Sequence, residues 1–361
     1  MATGSEPRAP ADRDMGPAAP AAGGRRPVGR PTMADVAARA GVSRALVSLV
    51  FRNQPGAGPG TRERVLRVAD ELGYRPDTAA RLLARGRSRT LGVMLSLRQP
   101  FSADLMEHIY PEAERLGYDV LLSATAPGRG ERRAIEALLS HRCEAIILLG
   151  PSCDSRCLSD LGRRTAVVIV GRSVPGAPAD SVHTAEAKGM RQVVDYLTEL
   201  GHRAIVHVDG GRGPGSAERR RGYRDAMRRH GLAHEIRIIP GAHNEEAGMD
   251  AGRMLIAEGT LPTAVLAGND RCAIGLLDSL ARAHVEVPGR VSVAGYDDSH
   301  LSHLSHIDLT TVRQDAQRMA ENAVLLAVQR LESAPAPARE VVLEPKLVVR
   351  GSSGPPPAGP A

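Results

Sequence analysis

Two kinds of apolar pattern divide this chain. From residue 91 onward, short and nearly unbroken apolar runs recur: LGVML (91–95), YDVLLS (118–123), EAIILLG (144–150), AVVIV (166–170), AIVHV (204–208), TAVLAG (263–268) and VSVAGYD (291–297). Between them apolar residues fall at helical spacing over 102–116, 186–200, 218–230, 244–258 and 270–283. Runs rich in β-branched residues without polar alternation predict strands buried on both faces, and their alternation with helices predicts parallel sheets. The length suffices for two such sheets. Ligands of open α/β sheets bind at the carboxyl ends of the strands, so the loops after these runs are the candidate site.

Before residue 91 the pattern is helical throughout. Met33, Val36, Ala37 and Ala40 make one apolar face, and Thr32 with Asp35 three residues on marks its start. Gly41 supplies a sharp turn, and Ser43 is placed to cap a second helix from Arg44 to about Phe51. A third helix follows Pro59, with Val65, Val68, Ala69 and Leu72 as its stripe and Gly73 just past its end. Pro76 interrupts the chain, and a short last helix is predicted from about Asp77, carrying Ala79, Ala80, Leu82 and Leu83. Two short helices joined by a tight turn can place the second one in the major groove of DNA, with its N-terminal side chains at base edges.

The segments T-M-A-D-V-A, A-G-V-S, T-R-E-R-V, E-L-G-Y-R-P and A-A-R-L-L, in this order and without insertions, resemble the lactose-repressor/galactose-repressor (LacI/GalR) family of bacterial transcription regulators. The resemblance covers nearly the whole chain apart from its two tails. It implies an α/β protein with an N-terminal helix-turn-helix headpiece and hinge helix, followed by a two-lobed, periplasmic-binding-protein-like sensor of parallel sheets. The expected divisions are a disordered leader (1–29), a DNA-binding domain (30–76), a hinge helix and linker (77–89), a ligand-sensing and dimerisation domain (90–350) and a disordered tail (351–361). Double-stranded operator DNA, a small-molecule effector and a second copy of the chain are the implied partners. No cofactor or metal is expected.

The resemblance also implies roles for residues. Arg44, Ala45 and Ser48 match base-reading positions, and Arg52, at a usual asparagine position, would contact base or phosphate. Thr32 and Ser43 at the helix starts join the DNA-contacting set, and Thr61 and Tyr74 resemble phosphate contacts. Ala80 and Leu83 would lie against the minor groove, Leu83 as a wedge between central base pairs. Eight residues cannot hold a helix alone in water, so the hinge would form on DNA and serve as the switch. In the sensor, Arg219, Asn269 and Asp297 resemble ligand contacts, with Asp270 as a helix cap. Phe101, Ser102 and His243 stand at further ligand positions.

Departures from the family pattern shift the expectation for the ligand. Phe101-Ser102 replaces paired phenylalanines, His243 replaces an aromatic ring, Gly171 replaces an aspartate before Arg172, and Ala185-Glu186 replaces Asp-Asn. Rings stack on sugar faces and carboxylates hold sugar hydroxyls, so these losses weaken the case for an ordinary neutral pyranose. Either the ligand is smaller or anionic, or the sensor has lost part of its response and the chain is a constitutive or architectural DNA binder. Leu46 and Leu49 stand where a threonine and an arginine are usual, which predicts an unusual operator or weaker binding.

Charge supports the DNA reading independently. Residues 25–90 hold 14 arginines and 5 acidic residues, whereas the whole chain carries only +6. A basic module on a near-neutral body is the footprint of a phosphate binder. The leader is Ala, Pro, Gly and Arg without apolar period, and its Arg25-Arg26 is either a solvated stretch or a minor-groove arm. The chain shows no signal-peptide core and no membrane-length apolar stretch, so a bacterial cytoplasmic, nucleoid-associated protein is expected. Cys143, Cys153, Cys157 and Cys272 fit free thiols better than a zinc pattern. His300, His303 and His306 near Asp297 and Asp298 are either a solvated loop or a metal site, the former favoured. No nucleophile elbow, phosphate-binding glycine loop or paired metal ligand points to an enzyme.

Overall fold

The computed structural model describes residues 31–75, 87–332 and 337–357. Contacts divide the chain into two units, Met1–Arg81 and Leu82–Ala361. The expected leader and the expected hinge helix, with Ala80 and Leu83, lie outside the described residues.

Among its described residues the first unit holds three helices: α1 (Met33–Ala40), α2 (Arg44–Phe51) and α3 (Pro59–Leu72). Their ends are set by local chemistry. The Thr32 hydroxyl accepts the Asp35 N–H while the Asp35 carboxylate accepts the Thr32 N–H, a reciprocal cap that satisfies two otherwise orphaned donors. Ser43 caps α2 by accepting the Leu46 N–H at 3.2 Å. Gly41 and Gly73 close α1 and α3 in the left-handed conformation that costs glycine little. Val36, Val47, Val50, Val65 and Val68 form the shared core. Two arginines of α3 satisfy carbonyls at the ends of the other helices. Arg62 donates to Val50 O and Gln54 O, and Arg64 to Ala40 O.

The second unit holds two lobes. The first is built on β1 (Thr90–Ser96), β2 (Asp119–Thr125), β3 (Ala145–Leu149), β4 (Ala166–Val170), β5 (Asp180–Thr184) and β11 (Glu340–Leu343). All are parallel, in the order β11-β5-β4-β3-β1-β2. Helices α4 (Pro100–Arg115) and α11 (Ala316–Glu332) cover one face; α5 (Glu131–Ser140) and α6 (Ser155–Gly162) cover the other. The second lobe repeats the winding with β6 (Ile205–Val208), β7 (Arg237–Ile239), β8 (Ala264–Ala267) and β9 (Ser292–Ala294), parallel in the order β7-β6-β8-β9. Its faces are covered by α7 (Glu186–Glu199) with α8 (Ser216–Arg229), and by α9 (Glu245–Ala257) with α10 (Asp270–Arg282). A ribbon of β10 (Thr311–Arg313) and antiparallel β12 (Lys346–Val348) completes it. The chain passes between the lobes after Thr184, after Arg313 and after Leu343.

Residues 340–350 do not form one strand, and the expected disordered tail needs correction. Glu340–Leu343 joins the first lobe and Lys346–Val348 the second, with Glu344-Pro345 between them, where proline has no N–H to continue a ladder. Nor are residues 351–357 a loose end. Ser352 exchanges hydrogen bonds with Val293 and its hydroxyl accepts the Thr310 N–H, while Ser353 bonds the Thr310 hydroxyl at 2.6 Å. Strand β9 is the edge of its sheet, and small Gly and Ser residues approach closely enough to cover it.

Candidate functional site

On the first unit, Arg44 and Ala45 project from the first turn of α2 and are exposed. A cation at a helix N-terminus opposes the helix dipole by a few tenths of a kcal/mol, so Arg44 is better suited to an outside anion or acceptor than to the helix. Ser48 and Arg52 lie one turn apart, and the Arg52 guanidinium donates to the Ser48 hydroxyl at 2.6 Å. Thr32 and Ser43 cap α1 and α2. Thr61 is half-buried at the start of α3, and half-buried Tyr74 meets Phe51 edge-on with ring centroids 5.6 Å apart. Leu46 and Leu49 are half-buried rather than fully exposed, and the Leu49 side chain lies against Gly56.

On the second unit, the carboxyl ends of the two sheets face a cavity of about 720 Å³. It opens where each strand order reverses, beside β1 and β3 in one lobe and β6 and β8 in the other. All six residues expected at the ligand site line it: Phe101, Ser102, Arg219, His243, Asn269 and Asp297.

Arg219 organises the deep end. It is 4% exposed, and it donates to Glu186 Oε2 at 2.7 Å, Gly268 O at 2.7 Å and Asp297 Oδ1 at 3.5 Å. Its guanidinium carbon sits 3.7 Å from the centre of the Tyr296 ring. Burial disfavours the charge, but the Glu186 and Asp297 carboxylates more than offset it and the pKa is raised. Gly215 allows this approach: a side chain there would meet the Glu186 carboxyl group at 2.9 Å, and its φ of 74° favours glycine. Glu186 was visible in the sequence only as a departure from the family pattern. Its role depends on an arginine 33 residues away, which no local signal encodes.

Asp297 has φ 119°, a conformation that costs a non-glycine residue on the order of 1–3 kcal/mol and recurs at ligand clamps. Gln314 donates to it at 2.8 Å, and burial raises its pKa against the pull of Arg219. The helix cap expected of Asp270 is supplied by Asn269 instead. Asn269 caps α10 by accepting the Cys272 N–H at 3.0 Å, while buried Asp270 accepts from Ser299 and Thr311. Asn269 still reaches the cavity, and its hydrogen bond helps to hold Asp297. Burial and the neighbouring Asp297 raise the pKa of Asp270. The deep end is therefore rich in acceptors, which suits ligand hydroxyls.

His243 fits between Gly210 and Gly213; a Cβ on Gly210 would lie 1.9 Å from its ring nitrogen. Burial, then Arg219 and His207, push its pKa down to about 3, so it presents a neutral ring. Its Nε2 is 3.2 Å from the Ser216 hydroxyl. The lobes also touch around the cavity. Gln99 donates to His243 O at 3.4 Å, Arg271 reaches the Arg98 carbonyl, and His300 pairs with Asp104 at 3.1 Å. His303 lies 3.4 Å from Asp298. Among the described residues no group of three or more His, Cys, Asp or Glu is placed to hold a metal ion, and no helix is long and apolar enough to cross a membrane.

Comparison with known proteins places these features in context. Residues 32–77 match the bacterial regulatory proteins of the lacI family, and residues 194–353 match the periplasmic binding protein-like domain. The HTH-type transcriptional regulator GalR of Escherichia coli is 31% identical over 326 residues, 89% of this chain and 95% of that protein. A LacI transcriptional regulator from a Rhodococcus species superposes with a TM-score of 0.71 at 46% identity, covering 74% of this chain and 98% of its own. The lac repressor dimer bound to operator and the anti-inducer ONPF superposes with a TM-score of 0.78 at 25% identity, covering 90% and 100% respectively.

Proposed function

The chain belongs to the lacI family of bacterial regulatory proteins, and from that premise we propose that it is a transcriptional repressor controlled by a small molecule. As a homodimer it binds a near-palindromic operator, one headpiece per half-site, because two-fold protein symmetry maps onto two half-sites. Residues 30–76 form the DNA-binding domain, 77–89 the hinge and linker, and 90–350 the sensor, to which 351–357 are packed. Arg44, Ala45 and Ser48 read bases, Arg52 contacts base or phosphate, Thr61 and Tyr74 hold the phosphate backbone, Thr32 and Ser43 join the DNA-contacting set, and Ala80 and Leu83 meet the minor groove. The effector, sugar-like or anionic, occupies the inter-lobe cavity against Phe101, Ser102, Arg219, His243, Asn269 and Asp297. The protein works in the cytoplasm on the nucleoid and catalyses no reaction.

One observation carries this reading: a capped helix-turn-helix, with exposed Arg44 opening its second helix, shares a chain with a cavity built around the Arg219–Asp297 pair. Arginine recognises guanine through two parallel hydrogen bonds. Arg44→Ala should therefore cost about 1–3 kcal/mol and relax preference at one base pair per half-site. Thr61→Ala should weaken binding evenly across sequences. Binding titrations against an operator and its single-base variants measure both. Even weakening by Arg44→Ala would remove Arg44 from base reading.

A further inference from the structure

The inter-lobe cavity continues into an open groove of about 700 Å³ on the first lobe, formed by the loops after β1, β2 and β3. Ser96, Arg98, Thr125, Glu131 and Ser152 line both spaces, so one molecule can occupy the two together. The groove carries two arginines, Arg98 and Arg129. Neither forms an ion pair among the described residues, whereas Arg87, Arg164 and Arg330 of the same lobe each hold a carboxylate.

Arg129 is held in place. The backbones of Ala126 and Arg129 bond each other at 2.8 and 3.1 Å, and its Nη2 donates to the Ser123 hydroxyl at 2.8 Å. Its Nε is buried without a partner. A buried guanidinium donor left unpaired costs free energy that an arriving acceptor would recover. The one carboxylate in the groove is already engaged. Glu131 accepts the Ser152 and Cys153 N–H groups at 2.6 and 3.0 Å, pinning the loop after β3 to the start of α5.

Buried Glu186 and Asp297 flank Arg219 at the deep end, and Arg98 and Arg129, without carboxylate partners among the described residues, lie at the outer end. The carbonyl and carboxylate acceptors around Arg219 suit hydroxyl donors, whereas guanidinium groups without carboxylate partners suit an anion.

Resting on the function proposed above, we infer that the effector is a two-part molecule, a polyhydroxylated body in the deep cavity and a phosphate or carboxylate group held by Arg98 and Arg129 in the groove. Glu131 is the positioning residue that keeps the groove open beside the cavity.

Full-length protein is titrated with matched pairs, aldose and ketose 6-phosphates and aldonic acids against their neutral parents, with inorganic phosphate as a separate arm. Binding is read by thermal shift, which reports affinity by mass action. At least one anionic member should bind tenfold or more tightly than its parent. That preference should fall below threefold in the Arg98→Gln/Arg129→Gln variant. Three results overturn the inference: neutral parents binding as well as anionic ones, a preference that survives in the double variant, or no anionic member binding. A response to inorganic phosphate equal to that of the sugar phosphates also overturns it, since the body would then contribute nothing. Operator binding is measured on the same preparations. Specific DNA binding beside any of these results discards the effector class alone, whereas loss of specific DNA binding discards the function on which it rests.

Discussion

His243 shows how one residue links the cavity to stability. The ring is half-buried against glycine backbone, and its pKa, pushed down to about 3 in the folded chain, lies below the ordinary 6.5. Unfolding lets it bind a proton that the folded state refuses. Its contribution is fully present above pH 6.5 and is lost progressively as pH falls toward 3, with a slope of up to about 1.4 kcal/mol per pH unit. Asp270 and Asp297 act in the opposite direction, because their raised pKa values favour the folded state as pH falls toward 3.8. Those terms are common to both proteins when His243→Gln is compared with the parent. Urea unfolding between pH 7 and 4 should show the parent losing stability relative to the variant as pH falls. Parallel pH profiles would mean that the ring is not held neutral.

At the scale of elements, legibility followed the locality of the cause. Thr32 with Asp35, Ser43, Gly41 and Gly73 set helix ends through partners within a few residues, and each was readable in the sequence. The apolar runs at 91–95, 145–149 and 166–170 became buried parallel strands because nothing polar interrupts them. Strand β5 was not singled out, since Asp-Ser-Val-His-Thr has no such run. Its Asp180 is wholly buried only because Arg330 and Arg339, about 150 residues on, neutralise it. The cavity-lining residues were named by resemblance, but the Glu186–Arg219 pair and the capping of α10 by Asn269 rather than Asp270 needed the folded chain. The end segment misled by composition, because Gly, Ser and Pro read as loose until a sheet edge lies beside them. Deleting residues 351–361 should leave the Val293 and Thr310 backbone groups without their partners and cost about 2–4 kcal/mol at roughly one per hydrogen bond. The urea midpoint should drop accordingly, and an unchanged midpoint would show that the segment contributes nothing to the second lobe.

For the whole molecule, a basic helical unit and a two-lobed body make sense together only if an event in the body alters what the headpieces do. The body offers a physical basis in its three crossings between lobes. Ala185 N–H bonds Leu343 O, the Thr184 hydroxyl bonds Gln314, and Gln314 in turn holds Asp297 in the cavity. A ligand that engages Asp297 thus bears on the strands about which the lobes would turn. All of this presupposes a specific DNA site. The most direct measurement is to select genomic DNA fragments with the full-length protein at near-physiological salt and sequence those retained. A shared palindrome of two half-sites is expected, with a readily kinked pyrimidine–purine step at its centre where Leu83 would enter. Diffuse recovery with no common motif would contradict it, and would mean that Leu46 and Leu49 have removed specific reading and left an architectural DNA binder.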